Sequence, residues 1–181
     1  MMKNLSTPLT KDKVISLHAG DEIFITGKIY TARDAAHKML VESIKKGENL
    51  PFNLKNQIIY YAGPTPAPPG YVIGSCGPTT SKRMDSCTIP LLEKGLKGMI
   101  GKGERRKEVE NAIKKFKAVY FIAVGGAGAF LATRVKKAKL IAYPELGPEA
   151  IYELEVENFP VIVAIDSNGG NIFKNRDNFT K

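Results

Sequence analysis

One short stretch of the chain brings hydroxyls, a guanidinium and a turn together: Cys76-Gly77-Pro78-Thr79-Thr80-Ser81-Lys82-Arg83-Met84-Asp85. Gly77-Pro78 predicts the turn. Thr79 and Thr80 place two hydroxyls where the spacing predicts the start of a helix, and Arg83 follows one turn later. Free backbone N–H groups, hydroxyl donors and a guanidinium at one point make a site for a carboxylate or a phosphate. The plainer alternative is that Thr79 or Thr80 only caps the helix. The threonine pair together with Arg83 favours the anion site.

Other chemistry-bearing motifs are weaker. Gly101-Lys102 resembles the end of a phosphate-binding loop, but that pattern needs glycine at 96 and a hydroxyl residue at 103. Leu96 and Gly103 fail it twice. Gly126 and Gly128 could begin a dinucleotide fingerprint, but Leu131 stands where its third glycine belongs. Tight strand–helix packing is the simpler role for these glycines, although this end could still approach a ligand closely. His37 follows Arg33 by one helical turn and could orient a neighbour. Cys76 and Cys87 have ten residues between them, a spacing that fits no common zinc pattern. Two thiols and two histidines, His18 and His37, are too few for a zinc site or an iron–sulfur cluster within this chain. Any metal chemistry must be completed by another chain, and no metal ligand is assigned here. Both cysteines otherwise read as reduced, buried thiols.

The elements that must position these residues follow from periodicity. Glu22–Tyr30 alternates around Ile23, Phe24, Ile25 and Ile29 and predicts a strand with a turn at Thr26-Gly27. Thr31 is expected to open a helix with Asp34 as its capping-box partner, and Gly47 to close it. Residues 57–62 predict a short strand and 63–70 a stiff proline-rich loop. Tyr71–Gly74 predicts a strand leading into the threonine turn. A helix is expected from Ser81 to Lys94, with Pro90 inside it and Gly95 after it. Then come a short strand and glycine loop at 98–103, a charged helix at 104–116 and a buried apolar strand at 118–124. A helix is predicted from 125 to about 135, followed by strands at 140–143, 152–156 and 161–165. Strands alternate with helices in the middle and pair as meanders at both ends. The class is α/β with a mixed sheet.

At 181 residues with 43% hydrophobic side chains, a single domain spanning 1–181 is expected. No apolar run approaches the roughly 20 residues that span a membrane. The N-terminus lacks the apolar core of a signal peptide, so a cytoplasmic location is expected. The net charge is +9, which raises nucleic acid as a partner. The lysines argue against it. They are spread along predicted elements, and no aromatic-plus-basic motif of an RNA-binding sheet is present. An anionic small substrate or an acidic partner chain suits the charge better.

Three segments together resemble one family. Thr31-Ala32-Arg33-Asp34-Ala35-Ala36-His37 resembles its arginine helix. Gly77 to Met84 resembles its threonine turn, and Lys97-Gly98-Met99-Ile100-Gly101-Lys102-Gly103 its lysine loop. Gly125-Gly126 and Asp166-Ser167-Asn168-Gly169 also fit. The family is the iron–sulfur hydro-lyases of the class I fumarase and L-tartrate dehydratase type, in their beta subunit or C-terminal domain. The resemblance runs from about Thr7 to Phe173. It implies a swivelling β/β/α fold. It also implies an alpha subunit that carries a cysteine-ligated 4Fe–4S cluster, and a heterotetramer as the assembly. In the family one cluster iron keeps an open position and binds the substrate hydroxyl and a carboxylate as a Lewis acid. By motif, Arg33, Arg83 and Lys102 would hold the carboxylates of a C4 dicarboxylate. Thr79 would lie near the reacting hydroxyl as proton donor or relay, with Thr80 beside it.

General chemistry agrees with that assignment. Two carboxylates taken from water need cationic partners. Dehydration also needs a base at carbon and an acid at the leaving hydroxyl. Neither Asp34 nor Asp85 stands in a motif position for the base, which is expected on the partner. Fumarate hydratase of the tricarboxylic acid cycle is the leading expectation. L-tartrate dehydratase is the alternative, followed by a non-catalytic phosphate- or carboxylate-binding module.

Overall fold

The computed structural model describes residues 3–174. Its frame is a closed sheet. Strands β2 (Glu22–Thr31), β3 (Ile58–Tyr60), β4 (Gly98–Gly101) and β5 (Val119–Ile122) run parallel, each beside the next. The long strand β7 (Ile151–Ile165) is antiparallel to β5 on one side and to β2 on the other, which closes a five-strand barrel. Strand β1 (Lys3–Ser6) extends the sheet beside the first half of β2, and β6 (Val135–Ala142) lies beside the first half of β7.

Parallel neighbours need crossovers. The helix α2 (Asp34–Lys46) connects β2 to β3. A 3-10 turn (Ser81–Met84) and α3 (Asp85–Glu93) lie between β3 and β4, and α4 (Lys107–Phe116) connects β4 to β5. Two short helices, α1 (Lys11–Ile15) and α5 (Gly128–Ala132), fill the β1–β2 and β5–β6 connections. A 3-10 segment (Pro144–Glu149) leads into β7. No described helix is long and apolar enough to cross a membrane.

Strand alternation divides the core in two. Ile58, Tyr60, Ile100, Val119 and Phe121 pack with Ile23, Ile25 and Phe159 in one cluster. Ile59, Tyr61, Met99 and Tyr120, from the intervening positions, pack with Ala36 and Leu40 of α2, Leu91 of α3 and Ile113 of α4. One cluster fills the barrel and the other joins its outer wall to the helices. This is the β/β/α layering of the swivelling domain.

Several local expectations change. The N-terminal end is not a meander, because β1 and β2 are parallel. Thr26-Gly27 is not a turn. The β2–β7 register shifts there, and the Asn158 N–H donates to Thr26 Oγ1 at 3.1 Å from the opposite strand. That bulge lets β7 run on through the polar Glu157-Asn158 pair, where two separate strands were expected. Tyr71–Gly74 is loop rather than strand, with Tyr71 69% and Val72 47% exposed. The helix after Gly125 is only Gly128–Ala132, and Val135 already belongs to β6.

Candidate functional site

Because β2 to β5 are parallel, their carboxyl ends share one rim of the barrel. Arg33 follows β2, Tyr61–Gly63 follows β3, Lys102 follows β4 and Val124–Gly126 follows β5. The threonine turn folds back onto this rim. The Thr79 N–H donates to the Tyr61 carbonyl at 2.6 Å, the Lys102 N–H to the Thr79 carbonyl at 3.2 Å, and the Ser81 N–H to the Lys102 carbonyl at 2.9 Å. Thr80 therefore lies beside Lys102 in a parallel bridge. The threonine turn and the lysine loop, more than twenty residues apart in sequence, form one short ribbon.

Two glycines permit that closeness. A Cβ on Gly101 would meet Ser81 Oγ at 1.9 Å and Tyr61 Cδ2 at 2.9 Å. A Cβ on Gly128 would meet Ser75 Oγ at 2.4 Å and the Gly77 nitrogen at 2.9 Å, where Cys76 donates to the Gly128 carbonyl at 3.1 Å. Gly128 thus packs against the loop before Thr79, and the expected strand–helix packing is not its task.

The capping alternative for the threonines does not survive. Thr80 is the N-cap residue of a 3-10 turn and makes no side-chain cap bond. Thr79 lies one residue earlier, and its hydroxyl has no hydrogen bond among the described residues. The anion site also differs from its expected form. No α-helix begins at Ser81, and the Ser81 N–H is already used. Hydroxyls and side-chain cations, not a fan of free backbone donors, are what this rim presents.

Arg33 and Arg83 each meet a carboxylate of the chain. Arg83 donates from Nε to Asp34 Oδ1 at 3.0 Å and from Nη2 to Asp34 Oδ2 at 2.9 Å, with half of its side chain exposed. Arg33 Nη2 lies 3.5 Å from Glu149 Oε1, and Arg33 Nε is buried without a partner among the described residues. Glu149 Oε2 accepts the Ala35 N–H at 3.0 Å, so α2 is capped from the β6–β7 connection. The expected Thr31–Asp34 capping box is absent. Thr31 stays in β2, where its Oγ1 donates to the Ala150 carbonyl at 3.4 Å and accepts the Tyr152 N–H at 3.0 Å. Lys102 is exposed and has no carboxylate partner among the described residues.

A buried polar layer lies beneath the rim. Arg105 Nε donates to Asp85 Oδ1 at 2.6 Å, with side-chain exposures of 0% and 2%. Its Nη2 donates to Thr88 Oγ1 at 2.7 Å and its Nη1 to the Tyr61 hydroxyl at 3.2 Å. The guanidinium also sits over the Tyr61 and Tyr120 rings. Burial opposes its charge, but Tyr61 and Asp85 outweigh that and hold its pKa above the ordinary value. His37 is fully buried against the edge of Tyr61. Its Nδ1 donates to the Arg33 carbonyl at 2.9 Å, and Nε2 has no partner among the described residues. Burial pulls its pKa down to about 4, so the ring is neutral. It fixes the start of α2, as its spacing from Arg33 suggested. Asp85, Arg105 and Tyr120 carried no such signal, because a buried pair twenty residues apart looks like any two surface charges in sequence.

The thiols do not form a metal site. Among the described residues no group of three or more His, Cys, Asp or Glu side chains could hold a metal ion. Cys76 is buried, which pushes its thiol up to about 12 and disfavours the thiolate that a metal needs.

A five-strand barrel flanked by helices, with cations and hydroxyls at the carboxyl ends of its parallel strands, defines a β/β/α domain. The chain belongs to the Fumarase C-terminus family, whose profile matches residues 2–176. It is 43% identical over 172 residues to a Methanocaldococcus jannaschii protein provisionally named L(+)-tartrate dehydratase subunit beta, covering 92% of this chain and 88% of that one. It is 36% identical over 177 residues to the L(+)-tartrate dehydratase subunit beta of Escherichia coli, covering 95% and 87%. Against the anaerobic class I fumarate hydratase of Escherichia coli the identity is 44% over 153 residues, covering 83% of this chain and 28% of that one. The chain therefore matches the two beta subunits in length and only one part of the fumarate hydratase.

Proposed function

We propose that this chain is the beta subunit of a two-chain hydro-lyase acting on a C4 dicarboxylate. The observation that carries the proposal is the fusion of the Thr79-Thr80 turn with Lys102 on the barrel rim that also holds Arg33 and Arg83. Arg33, Arg83 and Lys102 supply the cationic partners that two desolvated carboxylates need. Thr79 and Thr80 supply hydroxyls free of structural work, with Thr79 beside the departing hydroxyl as donor or relay.

The catalytic base is not in this set. Asp34 and Asp85 are each held by an arginine. The base therefore comes from the alpha chain, as does the iron–sulfur cluster, which the thiols here do not fit. In this enzyme class that cluster supplies Lewis-acid activation of the substrate hydroxyl. The chain's own work is to bind, orient and enclose the dicarboxylate. A single domain, a heterotetramer with the alpha subunit and a cytoplasmic setting complete the reading.

L-tartrate dehydration takes precedence over fumarate hydration, which the motifs alone placed first. The length match to two tartrate dehydratase beta subunits supports this order. Fumarate remains the second reading, supported by the 44% identity to a class I fumarate hydratase. The test offers L-tartrate, L-malate and fumarate separately to the reconstituted two-chain enzyme. A higher kcat/KM for L-tartrate is expected. A preference for fumarate and L-malate would reverse the order, and turnover of none of the three would refute the class.

A further inference from the structure

The rim residues carry the proposed substrate contacts, but they do not explain the polar layer below them. Tyr120 lies on β5, which contributes nothing to the motifs. Its hydroxyl donates to the Gly103 carbonyl at 2.7 Å and lies 2.8 Å from Ser81 Oγ. A phenol has one proton, so the Ser81 hydroxyl must be the donor in the second contact. Ser81 directly follows Thr80, and Gly103 directly follows Lys102. One phenol therefore bridges the residues adjacent to two rim groups. Asp85 makes a second bridge. Its Oδ1 accepts from Arg105 Nε at 2.6 Å, and its Oδ2 accepts the Arg106 N–H at 2.8 Å. That carboxylate fastens the start of α3, which follows the threonine turn, to the segment that follows the lysine loop.

Net stability is a weak reason for this arrangement. A buried ion pair contributes little compared with well-packed apolar residues of the same volume. Its hydrogen bonds are directional, however, and fix positions that an apolar contact would leave free to slide. All of these bonds connect the same two segments, or connect them to Tyr61, whose carbonyl takes the Thr79 N–H.

We infer that Tyr120 and the Asp85–Arg105 pair form a buried clamp that holds the Thr79-Thr80 turn and the Lys102 loop in one register. They are positioning residues for substrate binding and do not touch substrate. The functional half of this inference rests on the proposed hydro-lyase reading; the structural half does not.

The experiment therefore has two arms, with Tyr120→Phe as the main variant, since it removes one hydroxyl and keeps the packing. Arg105→Lys is the second variant; it keeps the charge beside Asp85 but loses the fork. Should Tyr120→Phe fail to fold, Ser81→Ala breaks the same bridge from its other side. In the first arm, amide hydrogen exchange is measured on the full-length chain. The clamp predicts faster exchange at 79–82 and 102–104 together. Faster exchange in only one segment, or in neither, would overturn it. In the second arm, the variants are assembled with the alpha chain, cluster content is matched, and Lys114→Ala is the control. A fall of about tenfold in kcat/KM is expected, shared between a higher KM from the displaced Lys102 and a lower kcat from the displaced Thr79. Coupled faster exchange with unchanged KM and kcat in an active complex would overturn the positioning role. An inactive wild-type complex would refute the hydro-lyase reading instead, and exchange alone would then decide the clamp.

Discussion

Thr79 is where function and scaffold separate most cleanly. Its backbone is fixed by Tyr61 and Lys102, and its hydroxyl has no structural partner among the described residues. Thr79→Val should therefore leave the melting temperature nearly unchanged, without the loss of about 1 kcal/mol that removal of a cap brings. In the assembled enzyme it should abolish most turnover, while Thr79→Ser keeps part of the rate. Steady-state rates beside thermal melts check both, and unimpaired turnover in a stable Thr79→Val complex would return the hydroxyl to a passive role. Arg83 makes a different prediction. Its pair with Asp34 is half exposed and screened, so Arg83→Lys should cost little stability. A bidentate carboxylate contact needs the planar fork, and its loss is worth on the order of 2–5 kcal/mol. A fall of roughly 30-fold or more in kcat/KM is expected. Wild-type kinetics would remove Arg83 from the site.

At the scale of elements, the close approach of the threonine turn to β4 rests on Gly101. A methyl group there would overlap Ser81 Oγ, whose hydroxyl is already committed to Tyr120. Gly101→Ala should destabilise the chain by about 1–3 kcal/mol, the usual cost of overpacking. It should impair catalysis more than an equally destabilising change in α4, such as Ile113→Val. Denaturant melts and kinetics on the pair measure this, and equal catalytic loss in both would contradict it. Much of this layout was legible in sequence. The alternation of Ile23, Ile25 and Ile29, the stop at Gly47 and the order of the three motifs reported the strands, α2 and the rim, because burial imposes those periods locally. The misplaced elements depend on distant partners. Tyr71–Gly74 has the composition of a strand but pairs with none. Glu157-Asn158 looks like a break until Thr26 of β2 accepts the Asn158 N–H. The side chain that caps α2 arrives from Glu149, more than a hundred residues away. The Asp85–Arg105 pair could not be told from surface charges before the fold brought its members together.

For the molecule as a whole, His37 links stability to pH. Its ordinary pKa of 6.5 is lowered by burial to about 4 in the folded chain. The unfolded chain then binds the extra proton between those two values. Stability from the neutral ring is fully present above pH 6.5 and is lost progressively as pH falls toward 4, by about 3 kcal/mol in total. His37→Gln should flatten that slope, which melts between pH 7 and pH 4 would show; an unchanged slope would mean that the loss arises elsewhere. The positive charge is also partly spent within the fold. Lys136 and Lys137 of β6 pair with Glu157 and Glu155 of β7, while Lys102 on the rim has no carboxylate partner among the described residues. The rim is thus cationic and open, its Asp34 is held by Arg83, and no group of three or more His, Cys, Asp or Glu side chains among the described residues could hold a metal ion. In the proposed reading it is half of an active site. The most direct test measures dicarboxylate hydration and dehydration anaerobically for this chain alone, for the cluster-loaded alpha chain alone and for their mixture. Activity in the mixture and in neither component is the expected result. Full activity of the alpha chain without this one, or turnover by this chain alone, would contradict the account.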